Sequence, residues 1–115
     1  MISGKVWGYV DQIHSDQFGV DYLTIYRGGY SSKHFHSYKW NKFHVISGRL
    51  LVRQWVDNSV DETVLTEGQT LVIPPKLWHQ FEALCDCQVI EITWCDGAKS
   101  SDIIRDGHGG KKCDI

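Results

Sequence analysis

The stretch GGYSSKHFH, residues 28–36, carries the most informative pattern of the chain. His34 and His36 lie two residues apart, and on a β-strand such side chains project from the same face. Imidazoles on one face can share a first-row metal ion. A third histidine, His79, follows Pro74-Pro75 and begins another predicted strand. Together the three histidines would form a site of three nitrogen ligands with open coordination positions. Spacing alone does not decide between such a metal site and ordinary histidines on the surface or in a cavity.

The segments on both sides of this stretch are predicted to be strands, because they are rich in β-branched and aromatic residues and are separated by glycine, proline and asparagine turns. The predicted strands are Lys5 to Val10, Phe18 to Tyr26, Phe43 to Val56, Glu62 to Leu65, Thr70 to Ile73, Trp78 to Ala83 and Gln88 to Trp94. No window shows a sustained helical period. Many short strands at close spacing predict an all-β sandwich or small barrel.

Length and composition indicate one globular domain. The chain has 115 residues, of which 42% are hydrophobic and 23% are charged. The net charge of -2 gives no basic excess for phosphate neutralisation, so nucleic acid is excluded as the main partner. The apolar runs are too short for a membrane span, and the first residues lack the apolar stretch of a signal peptide. We therefore expect a cytoplasmic protein that does not enter a membrane.

The four cysteines, Cys85, Cys87, Cys95 and Cys113, invite a disulfide interpretation. Without a secretory signal, and in a domain of this size, a crosslink is not needed. Cys85 and Cys87 are two residues apart and would share one face of a strand, a geometry that disfavours a disulfide between them. The chain has no CxxC pair typical of a zinc knuckle. Free, mostly buried thiols are the prediction.

The histidine stretch belongs to a longer pattern that resembles the first motif of the cupin family. That motif places a glycine five residues before HxH, an acidic residue after three or four more, and a glycine after six more. Here Gly28 precedes His34-Phe35-His36, Asn41 follows after four residues, and Gly48 follows after six. The asparagine stands where the family has a glutamate.

The second motif of the family also has a counterpart. It runs from glycine over five residues to proline, then over one residue to a second glycine, and over two more to histidine. Here it reads Gly68, Pro74, Lys76 and His79. Lys76 replaces the second glycine. If the turn keeps a left-handed backbone, a non-glycine residue there costs on the order of 1 kcal/mol. The alternative is a differently built turn in which Pro75 fixes its own φ.

The resemblance implies an all-β, single-domain cupin of the double-stranded β-helix, or jelly-roll, type over residues 1–115. The barrel would cover about residues 5–95 and a polar tail residues 96–115, with a short ordered segment around Asp102 to Arg105. The family's metal ligands map to His34, His36, Asn41 and His79. Because Asn41 brings no charge, zinc, iron(II), nickel or copper suit this set better than manganese.

Strand parity from these ligands predicts which neighbours face the barrel interior. Phe43 and Val45 would point inward and His44 outward, and Phe81 and Ala83 would form an apolar floor. The candidate substrate-binding residues are Ser32, Phe43 and Phe81. On the last long strand, either the pair Glu91 and Thr93 or the apolar set Ile90, Ile92 and Trp94 faces inward. The apolar set is the expected core, whereas an inward Glu91 would be a general acid/base candidate.

The segments 41–48 and 90–105 are similar, more loosely, to the cupin domain of type II mannose-6-phosphate isomerases. This similarity implies a metal-dependent isomerase acting on a sugar phosphate or a similar small polar substrate. The alternatives are a three-histidine iron dioxygenase, a non-catalytic sugar or effector-binding cupin, and a metal-free barrel. Cations available to bind a phosphate are Arg27, Arg49, Arg53 and Lys76. The tryptophan and tyrosine excess predicts a homodimer, with Trp40, Phe43, Trp55 and Trp78 as candidate contacts.

Overall fold

The computed structural model describes residues 1–95 and 103–112. Within these residues every regular element is a β-strand. The strands are β1 (Ile2–Lys5), β2 (Gly8–Ser15), β3 (Phe18–Ile25), β4 (Gly29–Tyr30), β5 (Lys33–His36), β6 (Lys39–Ser47), β7 (Leu50–Val56), β8 (Ser59–Leu65), β9 (Thr70–Ile73), β10 (Trp78–Ala83), β11 (Cys87–Cys95), β12 (Ile103–Asp106) and β13 (Gly110–Lys111). No helix in the described part of the chain is long and apolar enough to cross a lipid bilayer.

The strands form two antiparallel sheets. The first has the order β1-β2-β3-β11-β6-β9. The second has the order β12-β5-β10-β4-β13, and β7 joins it by pairing with β10 and β8 by pairing with β7. The non-consecutive neighbours are the crossovers of a jelly roll, so the predicted all-β fold is confirmed.

The hydrophobic core lies between the two sheets. Leu23, Val45 and Val89 come from the first sheet, and Leu50 and Val52 come from the second. Their side chains alternate with outward-facing neighbours because successive residues of a strand point to opposite faces. The inward positions predicted for Phe43, Val45, Phe81 and Ala83 are all buried, whereas His44 faces outward and contacts the Thr70 hydroxyl.

Strand β11 corrects one expectation. Its inward residues are Cys87 and Val89, followed by Glu91 and Thr93, which line a cavity. The prediction that Ile90, Ile92 and Trp94 form the core is therefore wrong. These three lie on the outer face, where the Trp94 ring stacks on Trp40 with 6.1 Å between ring centroids. Both faces of β11 carry apolar residues, so hydrophobicity alone did not show which face of the strand points into the barrel.

The aromatic residues predicted to form a dimer contact lie on different surfaces. Phe43 is only 2% exposed and lies inside the barrel, so its assignment to an exposed face is wrong. Trp40 lies on the outer face of the first sheet, while Trp55 and Trp78 approach the Lys33 ammonium on the second. The homodimer itself stays a prediction.

Residues 103–112, which we call the strap, extend the second sheet. Strand β12 pairs with β5, and β13 pairs with β4. The short segment predicted around Arg105 is thus a strand, while Asp102 lies outside the described residues. The division into barrel and tail stays a prediction.

The described cysteines, Cys85, Cys87 and Cys95, form no disulfide, as predicted, but only Cys87 is buried, so the expectation of mostly buried thiols is wrong for Cys85 and Cys95. Cys87 is fully buried, and burial raises the pKa of its thiol to about 11. Cys113 lies outside the described residues.

Candidate metal centre

Strand pairing brings the three predicted histidines together. His34 on β5 lies directly opposite His79 on β10, and His36 is two residues further along β5. The ring centroids are 4.4 Å apart for His34 and His79, 5.2 Å for His34 and His36, and 5.7 Å for His36 and His79. One ring nitrogen from each residue lies within 4.8 Å of the others, a spacing that could hold one metal ion.

Backbone carbonyls orient two of the imidazoles. His34 Nδ1 lies 2.8 Å from the Ser32 carbonyl oxygen, and His79 Nδ1 lies 2.9 Å from the Leu77 carbonyl oxygen. A carbonyl only accepts hydrogen bonds, so each Nδ1 carries the proton and donates it. The Nε2 atoms therefore keep their lone pairs for a ligand, as metal-binding histidines require.

The histidine group has the character of a metal site. Among the described residues, the buried Nε2 of His79 has no hydrogen-bond partner. Burial, together with neighbouring imidazoles, lowers the pKa of His34 to about 3 and of His79, mainly through burial, to about 4. The rings are thus neutral donors at physiological pH. An unpartnered buried nitrogen is costly, and a coordinated ion would satisfy it.

The turn before His79 has the left-handed backbone, the first of the two possibilities considered for Lys76. Lys76 has a φ of 68°, in the left-handed region that favours glycine. Its N–H donates to the His36 carbonyl oxygen at 2.7 Å. The turn is thereby fastened to the strand that carries the other two histidines.

Asn41 connects the cavity wall to Glu91. The Asn41 side chain is 1% exposed, and its amide nitrogen donates to a Glu91 carboxylate oxygen at 2.7 Å. The Asn41 carbonyl oxygen has no hydrogen-bond partner within the described residues. That oxygen is available to a ligand, while the amide nitrogen is committed to Glu91. Whether Asn41 binds metal stays a prediction.

Glu91 is half of a carboxylate pair that sequence reasoning missed. Asp21 on β3 lies directly opposite Glu91 in the ladder, and both line the cavity. Burial and the charge of Asp21 raise the pKa of Glu91 to about 7, against the opposing effects of Asn41 and Lys39. Burial also raises the pKa of Asp21. A carboxyl that shares a cavity with a second one can hold or release a proton near neutral pH.

The sequence around Asp21 contains a pattern that could have identified it as a cavity residue. Asp21 is an acidic residue at the same strand parity as the buried Leu23 and Ile25. An inward acid on an otherwise apolar strand face needs a partner or a wet cavity. Strand parity applied to β3 would have placed it inside the barrel.

The cavity has a volume of about 850 Å³. His34 and His36 line it, with His79 buried behind them against both rings. Phe43 and Phe81 lie in its wall with their rings in edge contact, centroids 6.1 Å apart. Ser32 also lines it, and the Ser32 carbonyl and hydroxyl both contact His34 Nδ1. The three predicted substrate-binding residues thus share one cavity, and their role stays a prediction.

The cations proposed from sequence lie elsewhere. Arg27, Arg49, Arg53 and Lys76 are outside the cavity lining, which instead includes Lys5, Lys39 and Arg105. Arg105 belongs to the strap, and no local pattern indicates that this segment returns to the histidine strand.

The model of the cupin domain family, Cupin_2, matches residues 22–93, which include all three histidines, Asn41 and Glu91. Comparison with curated proteins finds no match.

Solved structures with a similar fold come from larger proteins. The capsular polysaccharide assembling protein CapF from Staphylococcus aureus is 21% identical, with a TM-score of 0.74 over 91% of this chain and 33% of that one. Oxalate decarboxylase from Bacillus subtilis is 17% identical, with a TM-score of 0.77 over 91% of this chain and 29% of that one. The chain spans about a third of their lengths. At these identities the likeness shows the fold alone.

Proposed function

The chain belongs to the cupin family, and on that premise we propose that it is a metal-dependent isomerase of a small polyhydroxylated carbonyl compound such as a sugar phosphate. One observation carries this proposal: the carboxylate pair of Glu91 and Asp21 lines the same cavity as His34 and His36. Isomerisation needs a group that moves a proton between neighbouring carbons beside a group that stabilises the charge on oxygen.

The three imidazoles would hold one divalent transition ion. Their donor set is neutral nitrogen, which suits zinc, iron(II), nickel or copper better than manganese. When bound, such an ion supplies a positive charge that polarises a substrate carbonyl. The backbone bonds to Nδ1 of His34 and His79 leave the Nε2 lone pairs free, so these two atoms would be the ligands of such an ion.

Glu91 would carry out the proton transfer. Its carboxylate takes the proton from the carbon next to the substrate carbonyl and returns it to the former carbonyl carbon, while the hydroxyl proton moves to the other oxygen. The substrate is thereby rearranged without gain or loss of atoms. The Asn41 amide holds the carboxylate at 2.7 Å, and Asp21 raises the proton affinity of Glu91. The Phe43 and Phe81 rings exclude water from that wall of the cavity.

A proton-exchange experiment tests this proposal. The metal-loaded chain is incubated in D2O with aldose and ketose phosphates, and proton NMR follows deuterium incorporation at the carbon next to the carbonyl. We expect exchange and product formation in the parent, and a loss of about 100-fold or more in Glu91→Gln with unchanged metal content. Glu67→Gln, the same change on an exposed turn, is the control and should keep full activity.

The outcomes separate the alternatives. Equal exchange in the parent and Glu91→Gln would exclude Glu91 as the base. Thermal stabilisation by a sugar phosphate without product or exchange would favour a non-catalytic binding protein.

A three-histidine iron dioxygenase is the second candidate. It is favoured by the neutral donor set, because the group of described residues that could hold a metal ion contains three histidines and no carboxylate. Oxygen consumption by the iron(II)-loaded chain with a thiol or diketone substrate, measured with an oxygen electrode, would support it over the isomerase.

A further inference from the structure

Arg105 is placed beside the histidine group by strand pairing. It lies directly opposite His34 in the ladder between β12 and β5. Directly opposite residues on antiparallel strands point to the same face, so Arg105 and His34 project together. Both line the cavity, whereas the intervening partner pair, Ile104 and Phe35, lies on the other face.

The guanidinium of Arg105 has no partner among the described residues. The ion pairs of the described chain do not include it. Arg53 is the contrasting case, because it donates to Glu62 at 3.0 Å and to Glu82 at 2.8 Å. Arg53 therefore has a structural role on the outer face, whereas Arg105 lines the cavity without an ion-pair partner in residues 1–95 and 103–112.

The other cavity cations are opposed by an acid. Lys5 and Lys39 both act on Asp21, whose pKa they lower against the effect of burial. Arg105 lies on the opposite sheet, with His108 of the strap also in the lining. Within the described residues, the strap therefore contributes to the cavity a cation, Arg105, that is not paired with an acid.

The strap is held firmly enough to position this side chain. The Lys112 N–H donates to the Gly28 carbonyl at 2.7 Å, and the Lys112 ammonium pairs with Glu82 at 2.8 Å. At Gly109 a Cβ atom would lie 2.8 Å from the Tyr30 carbonyl oxygen, and at Gly110 one would lie 2.6 Å from the Tyr30 hydroxyl. The strap therefore packs closely against β4, and Arg105 projects from an ordered strand.

We infer that Arg105 binds the anionic group of the substrate, a phosphate or a carboxylate, and so selects acidic substrates for this cavity. A guanidinium presents paired N–H donors that match the oxygens of either group. The inference rests on the proposed function for the reaction that follows, but anion binding itself requires no turnover. The reacting carbons would lie between the anionic group and Glu91.

Binding of inorganic phosphate tests the inference directly. Isothermal titration calorimetry is carried out on the zinc-loaded chain for the parent, Arg105→Gln, Arg105→Lys and Arg49→Gln. We expect about tenfold weaker phosphate binding in Arg105→Gln and an intermediate affinity in Arg105→Lys. Arg49→Gln makes the same charge change at an exposed residue outside the cavity and should differ from the parent by less than about twofold. Zinc content and thermal unfolding, measured in parallel, should match the parent in every variant.

Two further titrations identify the preferred anionic group and the contribution of the zinc ion to anion binding. Titration with acetate compares a carboxylate with phosphate, and the tighter of the two names the group that the site prefers. Titration of chelator-treated protein separates binding at Arg105 from binding to zinc, and the Arg105→Gln deficit should persist there. Equal phosphate affinity in the parent and Arg105→Gln would overturn the inference. A deficit in Arg105→Gln together with absent proton exchange would retain the inference and reject the isomerase.

Discussion

The inward face of β11 changes character halfway along the strand. At one end Cys87 and Val89 pack in a closed apolar core. At the other end Glu91 and Thr93 line the cavity. The neighbouring strand β6 repeats the change, with Val45 in the core and Asn41 in the cavity wall.

This contrast divides the barrel into two ends with different roles. The apolar end excludes water and supplies most of the burial that stabilises the fold. The polar end buries a carboxylate, an amide and neutral imidazoles, each of which costs free energy unless it has a partner. The apolar end stabilises the fold that holds the side chains of the polar end in place. Substitutions at the apolar end should therefore lower stability, whereas those at the polar end should mainly change ligand binding.

The largest expected effect is loss of metal from the polar end. The double variant His34→Ala, His36→Ala removes two of three nitrogen ligands, so we expect near-stoichiometric metal in the parent and almost none in the variant. Elemental analysis of protein purified without an affinity tag measures this. His44→Ala is the matched control, because His44 is on β6 but faces outward. Equal metal content in the parent and the double variant would show that His34 and His36 do not bind the metal ion.

A pair of substitutions compares the two ends by stability. Leu50→Ala truncates a fully buried side chain at the apolar end and should lower the free energy of unfolding by about 2–5 kcal/mol. Thr93→Val keeps the side-chain size in the cavity wall and removes one hydroxyl, which should cost less than about 1 kcal/mol. Urea unfolding followed by circular dichroism measures both. Costs of similar size would show that the cavity end is as tightly packed as the core.

The smallest expected effect concerns the turn that carries His79. Lys76→Gly relieves a left-handed backbone and should raise the free energy of unfolding by about 0.5–1 kcal/mol, less the added freedom of glycine in the unfolded chain. Metal content should not change. Urea unfolding of this variant beside the parent provides the measurement, and a destabilised variant would show that the lysine side chain contributes more than its backbone costs.

The fold and the histidine group were predictable because both depend on short-range pattern. The two-residue spacing of His34 and His36 fixes a common face, and the motif spacing identifies His79 as their partner. Parity along β6 correctly placed Phe43 and Val45 inside and His44 outside. These inferences need only the alternation of a strand and the position of its turns.

Other features depend on pairings between distant parts of the chain. The orientation of Glu91 was not decided by hydrophobicity, since the outer residues Ile90 and Ile92 are as apolar as the core. Arg105 reaches the site only because β12 pairs with β5 across about 70 residues of sequence. Asp21 could have been found from parity alone, but its pairing with Glu91 required the sheet order.

The hydrogen bonds that orient His34 and His79 end on main-chain oxygens at positions 32 and 77. Every amino acid provides such an oxygen, so side chains at those positions can diverge during evolution while the same imidazole nitrogens keep a free lone pair for a ligand. The backbone path therefore sets the tautomer of both histidines. Relatives that share this path should keep the same tautomers even where sequence identity is too low to recognise the relationship.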